Sequence, residues 1–135
     1  MQGKEISVEY YFSKVVALSF EEAELKVVEE LKKEGFGVLT EIDVQATLKK
    51  KLNVDFRKYK ILGACNPPFA YKALQAEDMI GLLLPCNVIV QEKVDGKVTV
   101  AAIDPVSSME KIDNEQLTVI AAQVRDKLSK VIAAM

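Results

Sequence analysis

The dipeptide Asp95-Gly96, set between two apolar stretches, constrains the fold of this chain more than any other feature. Aspartate-glycine between alternating apolar residues is a strong hairpin signal, because glycine reaches the positive φ that a tight turn demands. The stretches 82–93 and 97–104 therefore read as antiparallel strands joined by a two-residue turn. With Asp95 and Gly96 as the central residues, Val94 pairs with Lys97 and the facing partners keep a constant sum. Val90 then faces Ala101, Val88 faces Ile103, Asn87 faces Asp104 and Cys86 faces Pro105. Leu82, Leu84, Cys86, Val88 and Val90 form one apolar face, and Asn87 and Asp104 share the other. Pro85 inside the first strand reads as a bulge or an edge.

The other elements follow from periodicity. Alternation from Ile6 through Phe12 to Val16 and Leu18 reads as one long strand. Ser19 with Glu22 makes a capping box for a helix whose inward stripe is Phe20, Ala23, Val27 and Leu31, and Gly35 ends it. Residues 36–42 read as a second strand, Val44, Leu48 and Leu52 as a short helix, and Tyr59 to Cys65 as a third strand. Asn66-Pro67-Pro68 caps and starts the next helix. A final helix from about Asp113 carries Leu117, Ile120, Ala121, Val124, Leu128 and Val131 on one side. The order is β-α-β-α-β-α-β-β-α. It predicts an α+β fold, one domain over residues 1–135, with a mixed, largely antiparallel five-stranded sheet flanked by helices.

The chain has 135 residues, half of them hydrophobic, and a net charge of -2. A chain of that size buries roughly two-thirds of its unfolded surface and needs no metal or disulfide staple. The charge argues against a nucleic-acid partner, which calls for a basic face. No apolar run approaches the roughly 20 residues that span a bilayer, so no membrane partner is expected. The start, Met1 to Glu5, enters a strand pattern without an apolar signal region, and two cysteines suit a reducing compartment. The expectation is a cytoplasmic protein.

Histidine is absent, which removes the commonest general acid–base group and the commonest metal ligand. Chemistry must rest on Cys, Asp, Glu, Lys or Tyr. Cys65 ends a strand just before a helix N-terminus, where the dipole favours a thiolate, although Pro67 and Pro68 remove two donors there. Cys86 lies on an apolar strand face and reads more simply as a core thiol. Both cysteines precede an asparagine, Asn66 and Asn87. Were the two strands parallel neighbours, these Cys-Asn pairs would approach each other. Two thiols alone do not complete a zinc site, so no metal is assigned.

Glu41 and Asp43 share one side of a strand end; Asp43 is more simply a helix cap. The lysines from Lys49 to Lys51 are accounted for by the helix dipole. Phosphate-loop, dinucleotide and nucleophile-elbow motifs are absent.

Four strings carry a resemblance: Gly35 to Asp43, Tyr59 to Pro67, Gly81 to Val88, and Ile103-Asp104-Pro105. Together they resemble the domain-of-unknown-function family numbered three hundred and two, over nearly the whole chain. The resemblance implies a small α+β domain, homodimeric, in a family without an established role. It supplies no catalytic residue.

The leading expectation is a non-enzymatic protein binding a small molecule or ion near Cys65, Asn66, Cys86, Asn87, Glu41 and Asp104. The cofactor, if any, is not specified. One alternative is a thiol-dependent redox enzyme with Cys65 as nucleophile and Cys86 as resolving thiol. The other is a purely structural dimerisation module.

Overall fold

The computed structural model describes residues 5–7 and 10–135. Six strands form one sheet in the order β1-β2-β6-β5-β4-β3, and every neighbouring pair is antiparallel. They are β1 (Glu5–Ser7), β2 (Tyr11–Val16), β3 (Gly37–Asp43), β4 (Tyr59–Cys65), β5 (Cys86–Glu92) and β6 (Val98–Ile103). The helices are α1 (Phe20–Lys33), α2 (Val44–Leu52), α3 (Pro67–Ala76), α4 (Pro105–Met109) and α5 (Glu115–Ala133), with a 3-10 helix at Asp78–Leu83. Among the described residues no helix is long and apolar enough to cross a membrane.

The sheet thus has six strands rather than the expected five, because the long alternating stretch folds back on itself. Ile6 pairs with Ser13, so β1 and β2 are two arms of a hairpin. No glycine or proline marks the reversal, and alternation alone does not separate one long strand from two short ones. Val8 lies outside the described residues. Phe12 and Val16 face the core as expected, while Ile6 lies on the opposite face, half exposed.

Helix α1 starts with the expected capping box: the Glu22 amide donates to Ser19 Oγ, and Glu22 Oε1 accepts from the Ser19 amide. Phe20, Ala23, Val27 and Leu31 are all buried. Gly35 follows the helix at φ 87°, a conformation open to glycine and costly to residues with a Cβ. Helices α1 and α5 pack on one face of the sheet, and α5 inserts Val124, Leu128, Val131 and Ile132 into the core. A second, smaller core joins α3, α4, α5 and the 3-10 helix through Ala73, Ile80, Met109, Leu117 and Ala121.

The hairpin register differs from the expected one by a residue. Val88 faces Ala102 and Val90 faces Val100. A type I′ turn requires positive φ at both central residues, and here Gly96 (φ 83°) has it while Asp95 does not. The chain instead makes a three-residue loop: the Lys93 amide donates to the Lys97 carbonyl, and the Gly96 amide to the Lys93 carbonyl, both at 2.8 Å. Asp95 Oδ1 accepts from the Lys97 amide at 2.9 Å.

One consequence is that Asn87 and Asp104 are not on a shared face. Asn87 continues the row of Ile89 and Gln91, and Asp104 the row of Val100 and Ala102. The strand expected from residue 82 begins only at Cys86, because Asp78–Leu83 coil into the 3-10 helix. The assumption that the strands bearing the two cysteines run parallel is also corrected: β4 and β5 are antiparallel, with Ala64 opposite Cys86.

Candidate functional site

Where the two cores meet, the helices do not close against the sheet end. The gap is a pocket of about 330 Å³ between the ends of β4 and β5 and helices α3, α4 and α5. Small side chains leave the space open. Ala70 and Ala73, three residues apart on α3, and Ala121 on α5 all face it. Larger apolar side chains, such as Phe36, Phe69, Met109 and Ile120, form the walls, and no charged residue lines it. A hollow of this size with mostly apolar walls is the usual form of a small-molecule site.

Three of the six expected site residues line this pocket: Cys65, Asn66 and Cys86. Cys65 is half-buried at the end of β4. Cys86 is 7% exposed at the start of β5. Burial, and secondarily the neighbouring Cys65 thiol, pushes the Cys86 thiol up to about 11. It is therefore protonated through the neutral range and behaves as an apolar wall group.

Asn66 occupies the N-cap position of α3 without a side-chain capping bond. Its Nδ2 reaches back to donate to the Glu34 carbonyl at 3.1 Å. That carbonyl belongs to the end of α1, where no intrahelical donor remains. Asn66 thus ties the end of one helix to the start of another. A Cβ on Gly35 would come within 3.0 Å of the same Nδ2, so glycine there serves both backbone geometry and this contact.

The other three expected residues stand elsewhere. Asp104 is 6% exposed and caps α4: Oδ1 accepts from the Val106 amide at 2.9 Å. Its Oδ2 lies 3.5 Å from Arg125 Nε. Asp104 does not line the pocket, but the helix it starts supplies Pro105 and Met109 to the wall. Asn87 is exposed on the opposite face of the sheet and lines a separate hollow of about 380 Å³ there.

Glu41 pairs with Lys60 at 2.8 Å, and Glu24 of α1 pairs with the same ammonium at 3.1 Å. Hydrogen bonds from Lys60 to Glu41 and then Glu24 raise the lysine's pKa above its usual value. Asp43 caps α2, accepting from the Ala46 amide at 2.9 Å. Glu24 ties α1 to the sheet and Asp43 starts α2 from it, while the Glu41–Lys60 pair joins β3 to β4. Among the described residues no group of three or more cysteines and carboxylates is placed to hold a metal.

The walls from α3 and α5 were not marked as a site by the sequence. The available signal was the spacing of Ala70 and Ala73 with Phe69 beside them, small and large residues sharing one inward helix face.

An open antiparallel sheet with helices packed on one face and an apolar pocket at the sheet end defines a small α+β protein with a preformed hollow. The chain belongs to the family described as domain of unknown function DUF302, whose model matches residues 12–135. It is similar to a crystal structure described as an uncharacterized conserved protein DUF302 from Bacillus stearothermophilus. The two are 28% identical with a TM-score of 0.85, over 93% of this chain and 97% of that one. No curated protein matches the chain.

Proposed function

We propose that the protein is a non-enzymatic binding protein for a small molecule, held in the pocket between the sheet end and helices α3, α4 and α5. The observation that carries this reading is the pocket: about 330 Å³, open to solvent, and free of charged lining residues. Cys65, Asn66 and Cys86 contribute to its wall. An ion fits this lining less well than an apolar molecule, because two thiols and one already bonded amide are the polar side chains it offers. The thiol-redox alternative is disfavoured by Cys86, whose raised pKa makes it a slow nucleophile near neutral pH.

The test is a titration with N-phenyl-1-naphthylamine, which fluoresces in apolar sites. Saturable one-site binding is expected. It should be lost in Ala70→Trp, which fills the pocket from half-buried α3 while the circular dichroism spectrum stays unchanged. Unsaturable binding, or equal binding by the variant, would refute the reading.

The reading further takes the chain to act as one cytoplasmic domain and as a homodimer. What supports a second copy is the sheet face away from α1 and α5. There Ile6, Ser13, Ala101, Ile89, Ile61 and Ile42 are successive partners across all six strands. Every described strand residue on this face is uncharged, in a chain that is 28% charged. Loss of charge is the compositional mark of an interface centre, and an uncharged face meets its own copy without like-charge repulsion. Six strands about 4.8 Å apart and roughly 20 Å long cover about 600 Å². That flat footprint understates the corrugated accessible area and approaches the ~800 Å² a stable interface takes from each partner.

A further inference from the structure

We infer that the pocket selects neutral apolar molecules and rejects organic anions of the same shape. The inference rests on the pocket-binding reading above and names the class of ligand. Three observations carry it.

The first is the lining itself, in which no lysine or arginine takes part. The nearest elements do carry cations, but none of these side chains lines the pocket. Arg125 of α5 lies 3.5 Å from Asp104 and 5.7 Å over the Phe12 ring. Lys72 of α3 sits 5.8 Å from the centre of the Phe69 ring but is solvent-exposed and outside the lining. An anion drawn to Lys72 would hold its charge at the surface.

The second is the start of α3, the natural anion cradle at this end of the sheet. A helix N-terminus binds anions through free backbone N–H groups. Here Pro67 and Pro68 have none, so two of the first-turn donors are missing and Phe69 is the first residue of the helix with an N–H to offer.

The third is Asn66, the wall's one amide side chain. One of its two N–H groups is engaged by the Glu34 carbonyl, so it offers a buried anion at most a single neutral donor and no positive charge. Burying a charge without a partner costs several kcal/mol, so anions of matching shape are excluded by the same walls that favour their neutral counterparts.

Two fluorophores make a matched pair: N-phenyl-1-naphthylamine, and 1-anilinonaphthalene-8-sulfonate, which adds one sulfonate to the same rings. The neutral probe is expected to bind at least about tenfold more tightly, and its binding is expected to fall in Ala70→Trp. Protection of Cys65 from alkylation in the unaltered protein gives a second readout that needs no variant. The neutral probe should slow labelling of this pocket-lining thiol and the sulfonate should not. Equal affinity for the two probes, with the sulfonate also protecting Cys65, overturns the selectivity and leaves the pocket reading standing. Failure of both probes to bind or to protect Cys65 overturns the pocket reading and this inference with it.

Discussion

Cys86 shows how one side chain's surroundings decide its chemistry. Its assignment as a core thiol was legible from the apolar alternation of β5, and the observed parity of Cys86, Val88 and Val90 agrees with it. The environment raises its pKa from 9.0 to about 11, so the folded state holds this proton more tightly than the unfolded chain. The associated stabilisation is fully present below about pH 8.5 and is lost as pH rises through 11. A difference of about two pKa units corresponds to roughly 2–3 kcal/mol. Stability of the unaltered protein should therefore fall more steeply between pH 8.5 and 11 than that of Cys86→Ala, followed by urea unfolding. Parallel curves would show that the thiol ionises without penalty. On the same grounds, native alkylation with peptide mapping should label half-buried Cys65 first and Cys86 only after unfolding. The role of Asn66 was not legible. Sequence identified it as a cap, but its partner is a carbonyl 32 residues away.

At the scale of elements, what the sequence made legible was set by local chemistry. The capping box of α1, the Asn66-Pro67 start of α3 and the strand Tyr59–Cys65 all follow from neighbours in sequence. The register of the β5–β6 hairpin was missed because it depends on one backbone angle, the negative φ of Asp95, which Asp-Gly alone does not dictate. The contact between β3, β4 and the segment before β5 was missed for another reason. Gly63 lies where Thr40 of β3 and the Pro85 ring converge, and a Cβ there would approach Pro85 Cγ to 2.7 Å and Thr40 Oγ1 more closely still. Both neighbours are far away in sequence. Gly63→Ala should lower stability by about 1–3 kcal/mol through overpacking, read as a shift in urea midpoint. Adding Thr40→Ala should recover part of the loss, leaving the clash with Pro85. An unchanged midpoint for the single variant would mean that β3 and Pro85 yield freely, and that the sheet end beside the pocket is not close-packed.

For the whole molecule, strand order was the least legible property, because pairing partners lie far apart in the chain and every order keeps the same alternation. The registers, once known, expose a feature that no local pattern shows: an uncharged row from Ile6 to Ile42 crossing the entire sheet. The proposed homodimer places a second copy on this row. Ile89 is at its centre and half-buried, so a carboxylate there stays within reach of water in a single chain and is trapped unpaired when two sheets close. Sedimentation velocity at tens of micromolar should find the unaltered protein dimeric and Ile89→Glu monomeric, with the same circular dichroism spectrum. Leu82→Glu is the control, since Leu82 is 79% exposed on the 3-10 helix, outside the strands that carry this row; it should remain dimeric. A dimer that survives Ile89→Glu but dissociates with Leu82→Glu would move the interface to the apolar surface beside the pocket. A monomer in all three would remove the second copy altogether. The pocket reading is tested separately, because none of Ile6, Ser13, Ala101, Ile89, Ile61 and Ile42 lines the pocket.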